Sequence, residues 1–381
     1  MGQLLETADV VVIGGGVIGL TIARALALRG VNRIVLIERA RLGAEASSAA
    51  AGMLAPQAEA DHADEFFSLC CQSRDMYPTF AAALRAETGI DSELDRTGTL
   101  YLAFNESDQK KIEQRFDWQT GAGLTVQKLN ANDARALEPC ISEHVRAALK
   151  FPMDMQVENR RLVSALVTAN EKLGVRLLTN TTVESLRIER GRIEGVETHR
   201  GSVSTGNVVV AGGAWSSLIK VPGEPLPRLR IEPVRGQMVC FESNPCIARH
   251  VIYSPRGYLV PRRDGRMLAG STTEHAGFAK DATVSGVHSI LSHALEISPQ
   301  ISDLPLIDVW AGLRPRTPDG LPVLGPCAEI QGLVYASGHY RNGILLAPIT
   351  GELIAGTIVD NVLPPALDVF APDRFAVVGV N

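Results

Sequence analysis

Val10-Val11-Val12-Ile13-Gly14-Gly15-Gly16-Val17-Ile18-Gly19, with Glu38 closing the next apolar run over residues 33–37, is the stretch that decides the fold. Residues 9–13 form a short β-branched run of the kind buried on both faces of a parallel sheet. The glycine triplet breaks it, and residues 17–29 are helix formers up to Gly30, a C-terminal stop. Residues 33–37 read as a second buried strand, so the chain opens with one βαβ unit. Within Gly14-x-Gly16-x-x-Gly19 each glycine has its own task. Gly14 allows the tight turn, Gly16 lets backbone approach a pyrophosphate, and Gly19 permits close packing of helix on strand. The helix start at Val17 and Ile18 then faces phosphate charge, and Glu38 accepts hydrogen bonds from ribose hydroxyls. In isolation the same spacing is also a glycine-rich turn followed by a surface glutamate. The flanking strand and helix, and an acid at the right distance, favour a dinucleotide.

Further along, residues 64–87, 107–119, 159–172, 284–295 and 349–359 carry helical patterns, while residues 97–104, 207–210 and 333–336 read as strands. Residues 184–199 look like a hairpin turning at Arg190-Gly191. Residues 237–241, 251–253, 258–261 and 267–270 are closely spaced strands, which suggests an antiparallel sheet rather than more βαβ units. The expected fold is α/β mixed with α+β, a Rossmann-type domain with an inserted domain built on a large antiparallel sheet. Its expected division is 1–60, 145–235 and 311–381 for the dinucleotide, and 61–144 and 236–310 for the substrate.

With 381 residues, two domains are expected. Apolar residues make up 45%, charged residues 21%, and the formal charge of -5 with pI near 6.0 argues against a nucleic-acid partner. The six cysteines show no metal-ligand spacing, so neither a metal nor a disulfide framework is expected, and a reducing cytoplasm is the natural setting. The apolar run over residues 10–28 contains Arg24 and the glycine triplet, which points away from a membrane span.

Three later features favour FAD over NAD. The run Ser47-Ser48-Ala49-Ala50-Ala51-Gly52-Met53 lets backbone amides approach a long flat ligand, although it also suits a flexible loop. Thr182-Val183 and Ala211-Gly212-Gly213-Ala214-Trp215 suit the adenine side. Ser337-Gly338-His339-Tyr340-Arg341-Asn342-Gly343-Ile344 falls between a strand and the last helix, where N–H groups meet a flavin's carbonyl oxygens. Arg314 lies in an apolar run beside Trp310 and Pro315, where an unpaired charge is costly. Either a buried salt bridge or a ligand carboxylate answers it, and a guanidinium offers a carboxylate a planar two-point fork. Tyr258 by itself reads equally as a core tyrosine.

Together these stretches resemble the D-amino-acid oxidase superfamily of FAD enzymes, and within it the glycine oxidases. The likeness is carried by residues 11–19 with Glu38, Ala49-Ala50-Ala51-Gly52-Met53-Leu54, Tyr258-Leu259-Val260-Pro261-Arg262, Gly312-Leu313-Arg314-Pro315, and Gly338 to Pro348 with Thr350-Gly351-Glu352. It runs from about residue 8 to residue 360. The first motif is shared by many flavoproteins; Gly-His-Tyr-Arg-Asn-Gly-Ile-Leu-Leu-Ala-Pro is far narrower. The resemblance implies a non-covalent FAD held by Gly14, Gly16, Val17, Ile18, Gly19, Glu38, Arg39, Ala46, Ser47, Ala51, Gly52, Met53, Val183, His339, Tyr340, Arg341, Asn342, Gly343, Ile344 and Leu345. It implies that Arg314 clamps the substrate carboxylate, that Tyr258 adds its hydroxyl there, and that Arg341 lies near the substrate amine. The implied reaction is oxidative deamination of glycine, sarcosine or small D-amino acids with oxygen, giving glyoxylate, ammonia and peroxide and feeding thiazole synthesis for thiamine, in a homotetramer. Alternatives of the same fold are a D-amino-acid dehydrogenase serving a quinone and a sarcosine or D-proline oxidase; an alternative of another class is a flavoprotein subunit acting as a relay. Met53, Arg256 and Thr273 are further candidates to line the pocket.

Overall fold

The computed structural model describes residues 4–221, 224–225 and 229–375. Its organising layer is a six-stranded sheet in the order Val323–Pro326, Leu333–Ser337, Val208–Val210, Val10–Ile13, Ile34–Ile37, Arg176–Leu178, parallel except for the first strand. Alternation explains why Val10–Ile13 and Ile34–Ile37 are apolar at every position. Val10, Val12, Ile34 and Leu36 pack into a core with the helices Val17–Leu28, Glu65–Thr88, Asn159–Lys172 and Ala347–Val359. Val11, Ile13, Val35 and Ile37 face the opposite way and pack with Leu186, Ile193, Val196 and Val203 of a second six-stranded sheet. A strand between two apolar layers has no solvent face on which to place a polar side chain.

That second sheet contains the hairpin Val183–Glu189 and Arg192–Thr198, joined where Arg190 and Gly191 both take positive φ (50° and 75°), as a tight two-residue hairpin turn requires. Its outer strand Leu4–Thr7 pairs with Gly201–Ser204.

An eight-stranded sheet forms the other half, in the order Leu306–Arg316, Glu232–Glu242, Arg266–Gly270, Tyr258–Pro261, Val251–Tyr253, Thr99–Ala103, Ala147–Phe151, Gln127–Asn130. Its pairings are antiparallel except that of Val251–Tyr253 with Thr99–Ala103. These two strands are far apart in sequence, so no hairpin dictates their direction. Helix Val284–Ile297 covers one face through Ile290, Ala294 and Ile297 against Val239, Phe241 and Leu259. Met238, Cys240, Tyr258 and Val260 alternate onto the opposite face with Ala51, which turns Tyr258 toward the half built on the parallel sheet.

Boundaries at 145 and 311 do not follow the edges of this sheet. It takes Ala147–Phe151, and Leu306–Arg316 is a single strand paired along Glu232–Glu242 from end to end. Helix Glu65–Thr88, assigned from sequence to the inserted part, packs with the helices of the parallel sheet.

Two glycines of the opening motif have steric reasons. Gly14 has φ +113°, and a Cβ on Gly19 would lie 1.9 Å from the Gly14 carbonyl oxygen. Gly19→Ala is therefore expected to destabilise the fold by roughly 1–3 kcal/mol, whereas Gly206→Ala, where a Cβ meets nothing within 4 Å, should stay within about 0.5 kcal/mol; denaturant titration of both variants checks this.

Candidate active site

The C-terminal ends of the parallel strands lead into Gly14, Glu38, Thr181, Ala211 and His339, all of which line one cavity of about 870 Å³. Ligands of open α/β sheets bind at this edge because the strand-to-helix turns there present free N–H groups and helix N-termini. Glu38, Arg39, Thr181 to Ser185 and Trp215 line it together with residues of the glycine turn and helix start (Gly14, Gly16 to Ile18) and of the small-residue segment (Ala46, Ser47, Ala49 to Met53). The Glu38 carboxylate accepts from Gly15 N (2.8 Å) and Ala40 N (2.9 Å), which fixes it beside the glycine turn. Ser47 Oγ accepts from Val17 N at 2.9 Å and so ties the small-residue segment to the helix start. The Arg39 guanidinium lies 3.7 Å from the Trp215 ring centroid and pairs with Glu45.

Tyr258, Arg314, His339, Tyr340 and Arg341 line the same cavity. Arg314 is half-buried, and burial lowers its pKa, yet its hydrogen bonds go to neutral groups: the Thr272 carbonyl at 3.0 Å and Ser271 Oγ at 2.7 Å. Among the described residues no acid pairs with it, so the salt-bridge reading of Arg314 is replaced by an uncompensated cation facing a cavity. Gly236 makes the room for it, since a Cβ there would meet the guanidinium at 2.2–2.3 Å. The Tyr258 hydroxyl is 3.3 Å from Met238 Sδ, a weak acceptor that leaves it available to a ligand. Arg341 is different: it lies 3.3 Å from Glu59 Oε1 and 3.3 Å from the Tyr253 hydroxyl, and Glu59 above all raises its pKa. Burial holds His339 neutral with its pKa lowered to about 3, and its Nε2 is 3.1 Å from Thr350 Oγ1.

The family model for FAD-dependent oxidoreductases of the DAO type matches residues 9–357. The chain belongs to the DAO family of FAD-dependent oxidoreductases. It is 35% identical to the glycine oxidase of Geobacillus kaustophilus over 92% of each chain. The crystal structure of that organism's glycine oxidase matches with a TM-score of 0.91 at 34% identity, covering 97% of this chain and 99% of the other. The bifunctional protein ThiO/ThiG of Trichormus variabilis is 38% identical over 97% of this chain, and the chain spans 55% of that protein's length.

The cavity fits the family's cofactor, FAD. Glycines at 14, 16, 52, 212 and 213 keep its walls bare backbone, and among the described residues no cysteine lines it. Cys327 sits in the core between the two six-stranded sheets. Of the residues expected to hold the cofactor, Gly14, Gly16, Val17, Ile18, Glu38, Arg39, Ala46, Ser47, Ala51, Gly52, Met53, Val183 and His339 to Ile344 reach the cavity. Gly19 and Leu345 do not line it: Gly19 packs on Gly14, and Leu345 is a core side chain whose carbonyl accepts from Ser73 Oγ at 2.6 Å. Arg256 and Thr273 do not line it either; Arg256 pairs with Glu296 (3.2 Å) and Asp108 (3.5 Å).

Glu59 also lines the cavity, at a position that no sequence motif marks. It ends the one-turn helix Pro56–Glu59, whose amides at Gln57 (3.4 Å) and Ala58 (3.3 Å) donate to the fully buried Asp154. A proline at the first helical position was the available signal. Burial raises the Asp154 pKa to about 7 against the opposing pull of Arg74. The native state thus holds a proton that the unfolded chain has released above about pH 4, so this group's contribution is fully present in acid and declines as pH rises toward 7. Comparing melting temperatures of wild type and Asp154→Asn from pH 4 to 8 is expected to show the wild type losing ground up to about pH 7, with a constant difference above it.

Proposed function

We propose that this chain oxidises glycine and other small amines, such as sarcosine and small D-amino acids, at the carbon bearing nitrogen. The observation that carries the reading is Arg314, a guanidinium with no acid partner among the described residues, on the wall of the same cavity as His339, Tyr340, Arg341 and Asn342. The name of the glycine oxidase relatives, which match over nearly their whole length, supports the same substrate class.

In this reading Arg314 grips the substrate carboxylate through its two-point fork, and the Tyr258 hydroxyl donates to the same group. Arg341 and the neighbouring turn set the position of the amine end. Bound FAD supplies the two-electron acceptor for the α-carbon's hydrogen. No protein base is assigned to that step. His339 is neutral, buried and engaged with Thr350, so its task is to hold the turn that carries Tyr340 and Arg341. A substrate bound with a neutral amine has a lone pair to assist departure of the hydrogen, and the site's contribution is orientation. Water then converts the imine to glyoxylate and ammonia, and dioxygen leaves as hydrogen peroxide.

The division of labour largely follows the layers: the parallel sheet and its turns hold FAD, and the eight-stranded sheet presents Tyr258 and Arg314, with Arg341 added from the turn after Leu333–Ser337. Supply of the imine to thiazole formation, a cytoplasmic setting and a homotetramer belong to the same proposal. Among the described residues no helix is long and apolar enough to cross a membrane, and no cluster of ligating side chains suits a metal ion.

Mixing the holoenzyme with glycine under nitrogen should bleach the flavin absorbance, and admitting air should restore it with one peroxide per turnover. Slow reoxidation by air but fast reoxidation by a quinone would reassign the acceptor. Arg314→Ala leaves the ligand carboxylate unpaired, so the glycine concentration for half-maximal reduction should rise roughly 30-fold to several thousand-fold, while the variant keeps its bound flavin.

A further inference from the structure

The substrate region of the cavity contains two guanidiniums and one carboxylate. Arg314 meets only neutral partners, whereas Arg341 is paired at 3.3 Å with Glu59, which also lines the cavity. Of the other acids on the wall, Glu45 pairs with Arg39, Glu38 accepts from the Gly15 and Ala40 amides, and neither these nor Glu184 pairs with Arg314 or Arg341 among the described residues. Two arginines less one glutamate leave a single positive charge facing the ligand. That balance matches an amino acid with one carboxylate and a neutral amine. Two bare guanidiniums would instead match a ligand with two carboxylates.

We propose that Glu59 is a specificity-determining residue: by occupying Arg341 it makes the site accept monocarboxylates and reject dicarboxylates. This rests on the assignment of Arg314 as the carboxylate clamp. A second carboxylate entering the pocket finds the Arg341 charge already used and a like charge beside it. Selectivity then arises from a repulsive element as well as from an attractive one.

The pair is not needed to hold the fold in place. Helix Pro56–Glu59 is anchored from behind by Asp154 and by Gln57, whose amide donates to Gln119 Oε1 at 3.0 Å and to the Thr125 carbonyl at 3.1 Å. The carboxylate itself faces the cavity, with side-chain exposures of 22% for Glu59 and 30% for Arg341. Solvated pairs of this kind contribute little to stability, so the charge can be removed with the backbone left where it is. Tyr253 remains as a hydrogen-bond partner for Arg341 after the change, which keeps the guanidinium near its place.

The test uses FAD-loaded enzyme and two unreactive ligands, acetate and malonate, with dissociation constants read from perturbation of the flavin spectrum and from competition with glycine. Wild type is expected to bind acetate in preference to malonate. In Glu59→Gln and Glu59→Ala the malonate dissociation constant should fall by about 10-fold or more relative to that of acetate. Adding Arg341→Met to either variant should abolish the gain, which a merely looser pocket would retain. If acetate binds wild type and is lost in Arg314→Ala, yet neither Glu59 variant shifts the malonate-to-acetate ratio, the inference is wrong and the clamp assignment stands. If acetate binding does not depend on Arg314, the clamp assignment itself fails.

Discussion

The contact that sets the other elements in place is between the Gly14 carbonyl and Gly19, where a Cβ would lie 1.9 Å from the oxygen. Because no side chain intervenes, helix Val17–Leu28 lies against the end of strand Val10–Ile13, and its first amides are carried to the lip of the cavity. From that contact follow the position of Ser47, which bonds to Val17 N, and the position of Glu38, which bonds to Gly15 N. The small-residue segment after residue 45 is thus hung from the glycine turn. With it comes Ala51, which packs against Met238 and Tyr258 of the other sheet. A steric condition at two glycines is passed through a few hydrogen bonds to the cavity wall that carries Tyr258.

The opening βαβ unit was legible because its signals are local: a run buried on both faces, a glycine spacing fixed by sterics, and an acid after the second strand. The Arg190-Gly191 hairpin was legible for the same reason. Pairings between remote segments were not. Leu4–Thr7 joins Gly201–Ser204, and Val251–Tyr253 runs parallel to Thr99–Ala103, through contacts that neither partner announces. The strand Leu306–Arg316 shows in sequence only as the apolar run around Arg314, because the apolar Leu306 and Ile307 are exposed and interrupt any regular alternation.

The candidate site divided along the same line. The glycine-rich segments that line the cavity stand in recognisable turns. Glu59 does not, since its partner Arg341 is 282 residues away and an acid in an alanine-rich stretch carries no mark of its own. Arg314 could be recognised as unusual, but only the structure distinguishes an arginine answered by a neighbouring acid from one bonded to a carbonyl and a hydroxyl. Charge balance is a property of the assembled pocket, and no window of sequence contains it.

Strand Leu306–Arg316 joins the two functions mechanically. Trp310 donates its indole N–H to the Ala49 carbonyl at 3.1 Å, and four residues later Arg314 reaches Ser271 and Thr272. One strand therefore sets the spacing between the Ala49 segment and the Arg314 guanidinium, the groups to which the proposed function gives cofactor and carboxylate. Inserting or deleting a single residue between Trp310 and Arg314 would turn the guanidinium to the wrong side of the sheet. Changes of chain length are consequently confined to the outward turns, and diversification of this scaffold must proceed by substitution along the strand and by remodelling of the short segments that flank the pocket.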